Sequence, residues 1–246
     1  MSGQDRGTQG FPCIAPLGLD GILVRFGEAL SDLANRAALA FHAALQGADL
    51  PGVIETATTL TSVRVQYDPL AVPPEVMCAR IQTLLADRDW YGADLPAGRR
   101  RWMIPALFDG PALAEAAHLA GLTPEAAVAG LTADPLRVLA IGFAPGQPYL
   151  GTLPPAWDIP RQQGLTPRVE PGAITVALRQ IVLFSVPSQT GWRQVGRCLF
   201  RPFQPDAADP FALRAGDEIR FHAIPARDYA RLAGAGRDGV ERMALP

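Results

Sequence analysis

The chain has 246 residues, 48% of them hydrophobic and 19% charged, enough apolar material for one large core or two modest ones and too much for a disordered polymer. A formal net charge of −2, from 22 basic and 24 acidic residues, gives no broad positive field, and no basic stripe is interleaved with aromatics, which argues against nucleic acid as a partner. No stretch approaches the ~20 apolar residues of a membrane span. Met1 to Gly10 lacks the apolar centre of a signal peptide. Cys13, Cys78 and Cys198 are far apart, as are His42, His118 and His222, so neither a disulfide framework nor metal-ligand spacing is present. These features fit a cytoplasmic protein with reduced thiols and no metal site.

Residues 1–10 read as a disordered tail. Ile22 to Phe26 reads as a short apolar strand ending at Gly27. Ser31 or Asp32 then caps a helix in which Leu33, Ala37, Phe41 and Leu45 recur every four residues on one face, and Gly47 stops it. Val53 to Leu60 is β-branched and threonine-rich, and Ser62 to Asp68 alternates, with Val63, Val65 and Tyr67 on one side. Pro73-Pro74 opens a second helix whose inner face carries Val76, Met77, Ile81, Leu84 and Leu85. Strand, helix, two strands and helix is most of a ferredoxin-like split βαβ plan over residues 11–95, with a last strand expected near Trp90 or Arg101.

The turn-rich run Gly92 to Gly98 is the expected domain boundary, and Arg99, Arg100 and Arg101 read as a solvated linker. A second domain is expected over residues 99–230, followed by a tail of residues 231–246. It opens with two short helices, the better one signalled by Thr123-Pro124-Glu125, a hydroxyl cap, a first-turn proline and an acid at the positive helix end. From Arg137 the rhythm is β. Strands are predicted at Val138 to Phe143, Ala173 to Leu178, Ile181 to Val186, Trp192 to Phe200 and Glu218 to Ile224, with glycine- and proline-rich connections that suit a barrel or sandwich. Pro145 to Pro171 reads as a long, stiff surface loop of the kind that carries function. The fold class is therefore α+β.

Ile141-Gly142-Phe143-Ala144-Pro145-Gly146-Gln147-Pro148-Tyr149-Leu150-Gly151 resembles the G-F-x-P-G-F-x-Y-L-G signature of the family that holds the B-type subunit of 5-oxoprolinase and allophanate hydrolase subunit 1. Pro160-Arg161, Thr166-Pro167-Arg168, Val169-Glu170-Pro171-Gly172, Gly191-Trp192, Gly196-Arg197 and Leu213-Arg214-Ala215-Gly216-Asp217 follow in the family's order, and Pro16-Leu17-Gly18 with Ile22 to Gly27 is similar to its first strand. The resemblance covers nearly the whole chain. It implies a ferredoxin-like domain joined to a cyclophilin-like β-barrel. It also implies pairing with a larger homologous barrel subunit, of the 5-oxoprolinase C-type or allophanate hydrolase subunit 2 kind. With a third subunit, the 5-oxoprolinase version uses ATP to open the 5-oxoproline lactam to glutamate. Two other roles occur in the family: a regulatory barrel that inhibits a sporulation kinase, and part of a biotin-dependent urea carboxylase and allophanate hydrolase system.

Within that resemblance the candidate catalytic residues are Tyr149, Arg168 and Gln180. Candidate contacts to a small carboxylate or amide are Gly142, Phe143, Pro145, Gly146, Arg161, Arg168 and Arg193. Arg161 and Arg168 offer forked donors suited to a carboxylate or phosphate, against the plainer alternative of an ion pair or a clamp on a loop. Tyr149 offers a ring face and a hydroxyl, or else a hydrogen-bonded core position. Trp192 fills the core or an interface. The chain also departs from the family. Gln147 replaces a signature phenylalanine, Leu131 stands where a histidine is usual, and Leu178-Arg179-Gln180-Ile181-Val182 replaces a glycine-glycine-glutamine-threonine-glycine turn. Bulky residues in place of three glycines are expected to alter the backbone or to fill the site.

Overall fold

Residues 10–245 are described by a computed structural model, and the chain divides between Pro96 and Ala97 into two units, each with its own sheet. The expected N-terminal tail lies almost wholly outside the described residues.

The first unit runs β1 (Cys13–Leu17), β2 (Gly21–Arg25), α1 (Asp32–Ala48), β3 (Val53–Thr58), β4 (Ser62–Tyr67) and α2 (Pro74–Ala86). Its sheet has the order β1-β2-β4-β3, antiparallel throughout, so β4 lies between the two strands that α1 connects. This is the split βαβ plan. Helix α1 starts where Ser31, in an extended conformation, accepts a hydrogen bond from the Ala34 amide at 3.1 Å, and it ends at Asp49 in the left-handed region. Ala34, Ala37, Ala38, Phe41 and Leu45 pack on Ile22, Val24, Val63 and Val65 to make the core, while Leu33 stays 40% exposed. The last strand expected near Trp90 or Arg101 is absent among the described residues of this unit. β1 fills that edge, beside β2. Trp90 is instead a core ring, edge-on to Phe41 at 5.2 Å, with its indole N–H donated to the Leu85 carbonyl.

The second unit runs β5 (Arg100–Leu107), α3 (Leu113–Leu119), α4 (Pro124–Ala133), β6 (Leu136–Ile141), β7 (Pro148–Gly151), β8 (Thr166–Val169), β9 (Ala173–Ala177), β10 (Gln180–Leu183), β11 (Ser188–Thr190), β12 (Arg193–Cys198), β13 (Glu218–Ala223), α5 (Ala226–Gly234) and β14 (Glu241–Ala244). Neighbouring strands in the order β5-β13-β6-β7-β10-β9-β12 are paired, and β12 pairs back onto β5, so seven strands close a barrel. Strand alternation points Ile104, Val138, Leu150, Val176, Ile181, Leu183 and Phe221 inward into one cluster. β8 and β11 form a separate two-stranded ribbon.

Three expectations are corrected here. Pro145 to Pro171 is not a surface loop: β7 is a wall strand within it, and Leu153, Trp157 and Ile159 are buried in the barrel core. Proline's fixed φ is compatible with extended backbone, so density of proline alone did not exclude a strand. Arg100 and Arg101 are not a linker but the start of β5, ion-paired to Asp217 and Glu218. The stretch from residue 231 is not a tail, since it completes α5 and supplies β14, which pairs with residues 100–103 of β5.

Candidate functional site

In β7, β9 and β10 the residues that alternate with the inward set face outward, and apart from Thr175 and Gln180 they are mostly apolar as well. Tyr149 and Val182, directly paired across β7 and β10, join Ala173, Ala177, Phe184, Val169 of the ribbon and Trp192 in a second cluster on that outer face. The ribbon and the segment leading into it cover this face. A cavity of about 230 Å3 remains beneath them. Buried Val182 and Phe184 form its base, Tyr149 and Trp192 meet edge-on across it at 6.1 Å, and Phe143 and Leu165 line it while remaining exposed to solvent. The candidate site therefore lies on the outside of the barrel wall.

Among the described residues, Arg161 is the one charged side chain lining this cavity. Its guanidinium carbon sits 5.5 Å above the Trp192 ring, a cation–π arrangement, and no carboxylate among those residues is paired with it. Arg193 steadies this group. It is buried, donates to Glu115 Oε1 at 2.9 Å and also donates to the Pro160 carbonyl, immediately before Arg161. Burial pushes the Tyr149 phenol above its ordinary pKa, and the opposing influences of Arg161 and of the Gln147 side-chain hydrogen bond are smaller. The hydroxyl therefore stays protonated at neutral pH and can donate. Gln147 is 1% exposed, and its Oε1 has no hydrogen-bond partner among the described residues. A larger cavity of about 490 Å3 adjoins this one, sharing Arg161 and Leu165 and lined also by Glu115, Gln162, Thr166 and Arg193.

These residues do not fit a nucleoside triphosphate. The chain contains no lysine, all 22 of its basic residues being arginine, so a lysine-bearing phosphate loop cannot be built from it. In the larger cavity the Glu115 carboxylate opposes an anion, and Arg193 is already committed. Among the described residues there is also no group of three or more His, Cys, Asp or Glu that could hold a metal ion.

A family model described as the carboxyltransferase domain, subdomain C and D, matches residues 12–213. The chain belongs to this family. It is 30% identical over 229 residues to the B-type subunit of 5-oxoprolinase from Bacillus subtilis, covering 88% of this chain and 94% of that protein. It is 28% identical over 177 residues to the B-type subunit of 5-oxoprolinase from Escherichia coli O157:H7, covering 70% and 79%. Among solved structures it is similar to the protein TTHA0988, with 34% identity and a TM-score of 0.73 over 85% of this chain but only 40% of that one. The Kluyveromyces lactis urea carboxylase shares the fold, with a TM-score of 0.73 at 14% identity over 94% of this chain and 24% of the other. No helix among the described residues is long and apolar enough to cross a membrane.

The family's signature segment thus contributes Phe143, Gln147 and Tyr149 to one cavity, and Arg161 and Trp192 join them from its downstream motifs. Other sequence candidates fall elsewhere. Arg168 is exposed on β8, paired to Glu170 at 2.6 Å, and lines neither cavity. Gln180 is buried, its Nε2 has no partner among the described residues, and it packs near Gly151 and also lines neither. Gly142 and Gly146 shape the β6–β7 turn, where the Gly142 amide donates to the Gln147 carbonyl. At Gly146 φ is +66°, and a Cβ would stand 3.0 Å from the Pro202 carbonyl oxygen, so glycine is required there. Pro145 is exposed on that turn. The sequence reading missed Gln147, Gln189 and Leu165 as lining residues. Gln147 was visible as a polar residue at an aromatic signature position, whereas nothing in the local pattern marked the ribbon residues.

Proposed function

We propose that the chain is the B-type subunit of a 5-oxoprolinase-like complex that opens 5-oxoproline, or a closely related cyclic amide acid, to the amino acid. The observation that carries this reading is the lone guanidinium of Arg161, stacked on Trp192 in a small cavity that also holds a protonated tyrosine. A volume of about 230 Å3 is below that of drug-sized pockets and suits a compact ligand. Arg161 binds the carboxylate through paired N–H donors. Trp192 and Tyr149 enclose the ring. The Tyr149 hydroxyl donates to the lactam carbonyl, where negative charge grows as the amide carbon is attacked. ATP is handled by the partner subunits, a larger barrel protein and a third chain, in the cytoplasm, and these also supply the remaining acid–base groups. The relatives named as B-type subunits of 5-oxoprolinase support this reading.

The test is glutamate release from 5-oxoproline by the assembled subunits. Turnover is expected only with ATP and all subunits present. Arg161→Met should lower kcat/KM about a hundredfold, because the substrate carboxylate is then desolvated without a partner. Arg168→Ala should stay within about twofold, as its exposed pair contributes little. A verified full complex with no turnover, or equal losses in the two variants, overturns the proposal. Dependence on a biotinylated partner would instead assign the chain to the carboxylase system.

A further inference from the structure

Gln147 has a feature that the proposed reaction does not yet use. It is 1% exposed, it lines the same cavity as Tyr149, and its Oε1 has no partner among the described residues. An unmet buried acceptor costs about 1–3 kcal/mol, so a ligand N–H that reaches it is favoured over a group that cannot donate. Tyr149, which lines the same cavity, lies close enough for the Gln147 side chain to influence its phenol. The two neighbouring lining residues thus offer one acceptor without a partner among the described residues, Gln147 Oε1, and one donor, the Tyr149 hydroxyl.

We propose that Gln147 and Tyr149 together read the edge of a cis amide, with Gln147 Oε1 accepting the ligand N–H while Tyr149 donates to its carbonyl. A ring of five atoms forces its amide to be cis, so N–H and C=O lie on the same edge. An ordinary trans peptide amide places them on opposite edges and cannot meet both groups. The chain thus selects lactam acids with a free N–H over lactones, N-alkyl lactams and linear peptides. The phenylalanine of the family signature has no acceptor to offer at this position, so the selectivity would be particular to chains that carry glutamine here. This inference rests on the proposed use of the cavity, and the following experiment separates the two.

Equilibrium binding is measured calorimetrically on the assembled complex without nucleotide. The ligands are 5-oxoproline, its N-methyl derivative, and the lactone acid in which ring oxygen replaces N–H. Wild type should bind the lactone about tenfold or more weakly than the lactam, since Oε1 then faces a lone pair instead of a donor. The N-methyl compound should bind more weakly still. In Gln147→Leu the lactam and lactone should bind within about threefold of each other. Gln147→Met serves as a second variant, and the melting temperature of each is compared with wild type. Equal lactam and lactone binding in wild type, with binding still abolished by Arg161→Met, overturns this inference alone. Undiminished discrimination in folded Gln147 variants also overturns it, because another group would then read the N–H. Absence of binding by any lactam acid removes both this inference and the reading on which it rests.

Discussion

Leu178 and Arg179 occupy the two corner positions of the β9–β10 hairpin with φ values of +51° and +61°. A two-residue hairpin loop of this kind demands left-handed backbone at both positions, which explains glycines in the related turn. Here the left-handed path is held by three backbone hydrogen bonds: Leu178 N–H to the Ile159 carbonyl, Arg179 N–H to that of Trp157, and Leu153 N–H to that of Arg179. The strain, about 1 kcal/mol or more per residue, is outweighed by these surrounding contacts. Leu178 is 45% exposed and so contributes modest burial. Leu178→Asn should therefore stabilise the protein by about 0.5–1 kcal/mol and raise Tm by about 2–4 °C, because asparagine tolerates this conformation without glycine's entropy cost. Leu178→Gly should gain less. A lowered Tm for the asparagine variant would show that the leucine contacts matter more than the backbone strain.

At the level of elements, the barrel depends on how β5 begins. β5 is paired in parallel with β13, and its other edge is shared between β14 and β12. Asp217, 2% exposed in its side chain, fixes this junction. It accepts from the Arg100 amide at 2.9 Å, from Arg100 Nη2 at 2.6 Å, from the Trp102 indole at 3.2 Å and from the Arg214 amide at 3.1 Å. Removing it leaves a largely buried guanidinium held through Nη2 to the Ala212 carbonyl, with its charge uncompensated by Asp217, and an indole N–H that has lost its acceptor. Asp217→Ala should cost about 3–5 kcal/mol, enough to lower Tm by roughly 10 °C in thermal unfolding. A change below about 1 kcal/mol would mean that water replaces the carboxylate freely. This junction also shows why β5 was hidden in the sequence. Three consecutive arginines look like a solvated run until the acids at 217 and 218 are brought beside them, and that pairing spans more than a hundred residues. The alternation Trp102, Ile104, Ala106 was legible, but it was outweighed by charge. β14, four exposed residues with an internal Glu-Arg pair, has no apolar face to announce it.

For the whole molecule, the α+β class, the order of the two units and most core strands follow from periodicity, whereas the identity of the barrel came from the ordered motifs. The candidate site was half legible. Arg161 and Tyr149 could be named from the motif, but whether they and Arg168 point the same way depends on strand register and on the ribbon, which no local pattern encodes. Closure of the barrel supplies a measurable global signature. Cys198, on β12 where it pairs with Ala106 of β5, is 1% exposed, and burial pushes its thiol up to about 12. On unfolding, that thiol titrates near its ordinary value, about 8.5–9. The native state thus holds the proton more tightly, and above pH ~9 the unfolded state binds fewer protons than the native one. Stability from this group is complete below pH ~8 and is lost as pH rises towards 12. The tyrosines with raised pKa values act in the same sense above pH ~10, so the thiol is isolated by comparison with Cys198→Ala. Unfolding in urea can be followed by tryptophan fluorescence, to which Trp102, Trp157 and Trp192 contribute from the barrel unit. The stability difference between wild type and variant should shrink by about 1 kcal/mol or more from pH 8 to pH 10. Parallel profiles would show that the thiol ionises in the folded barrel, and that the β5–β12 seam admits water.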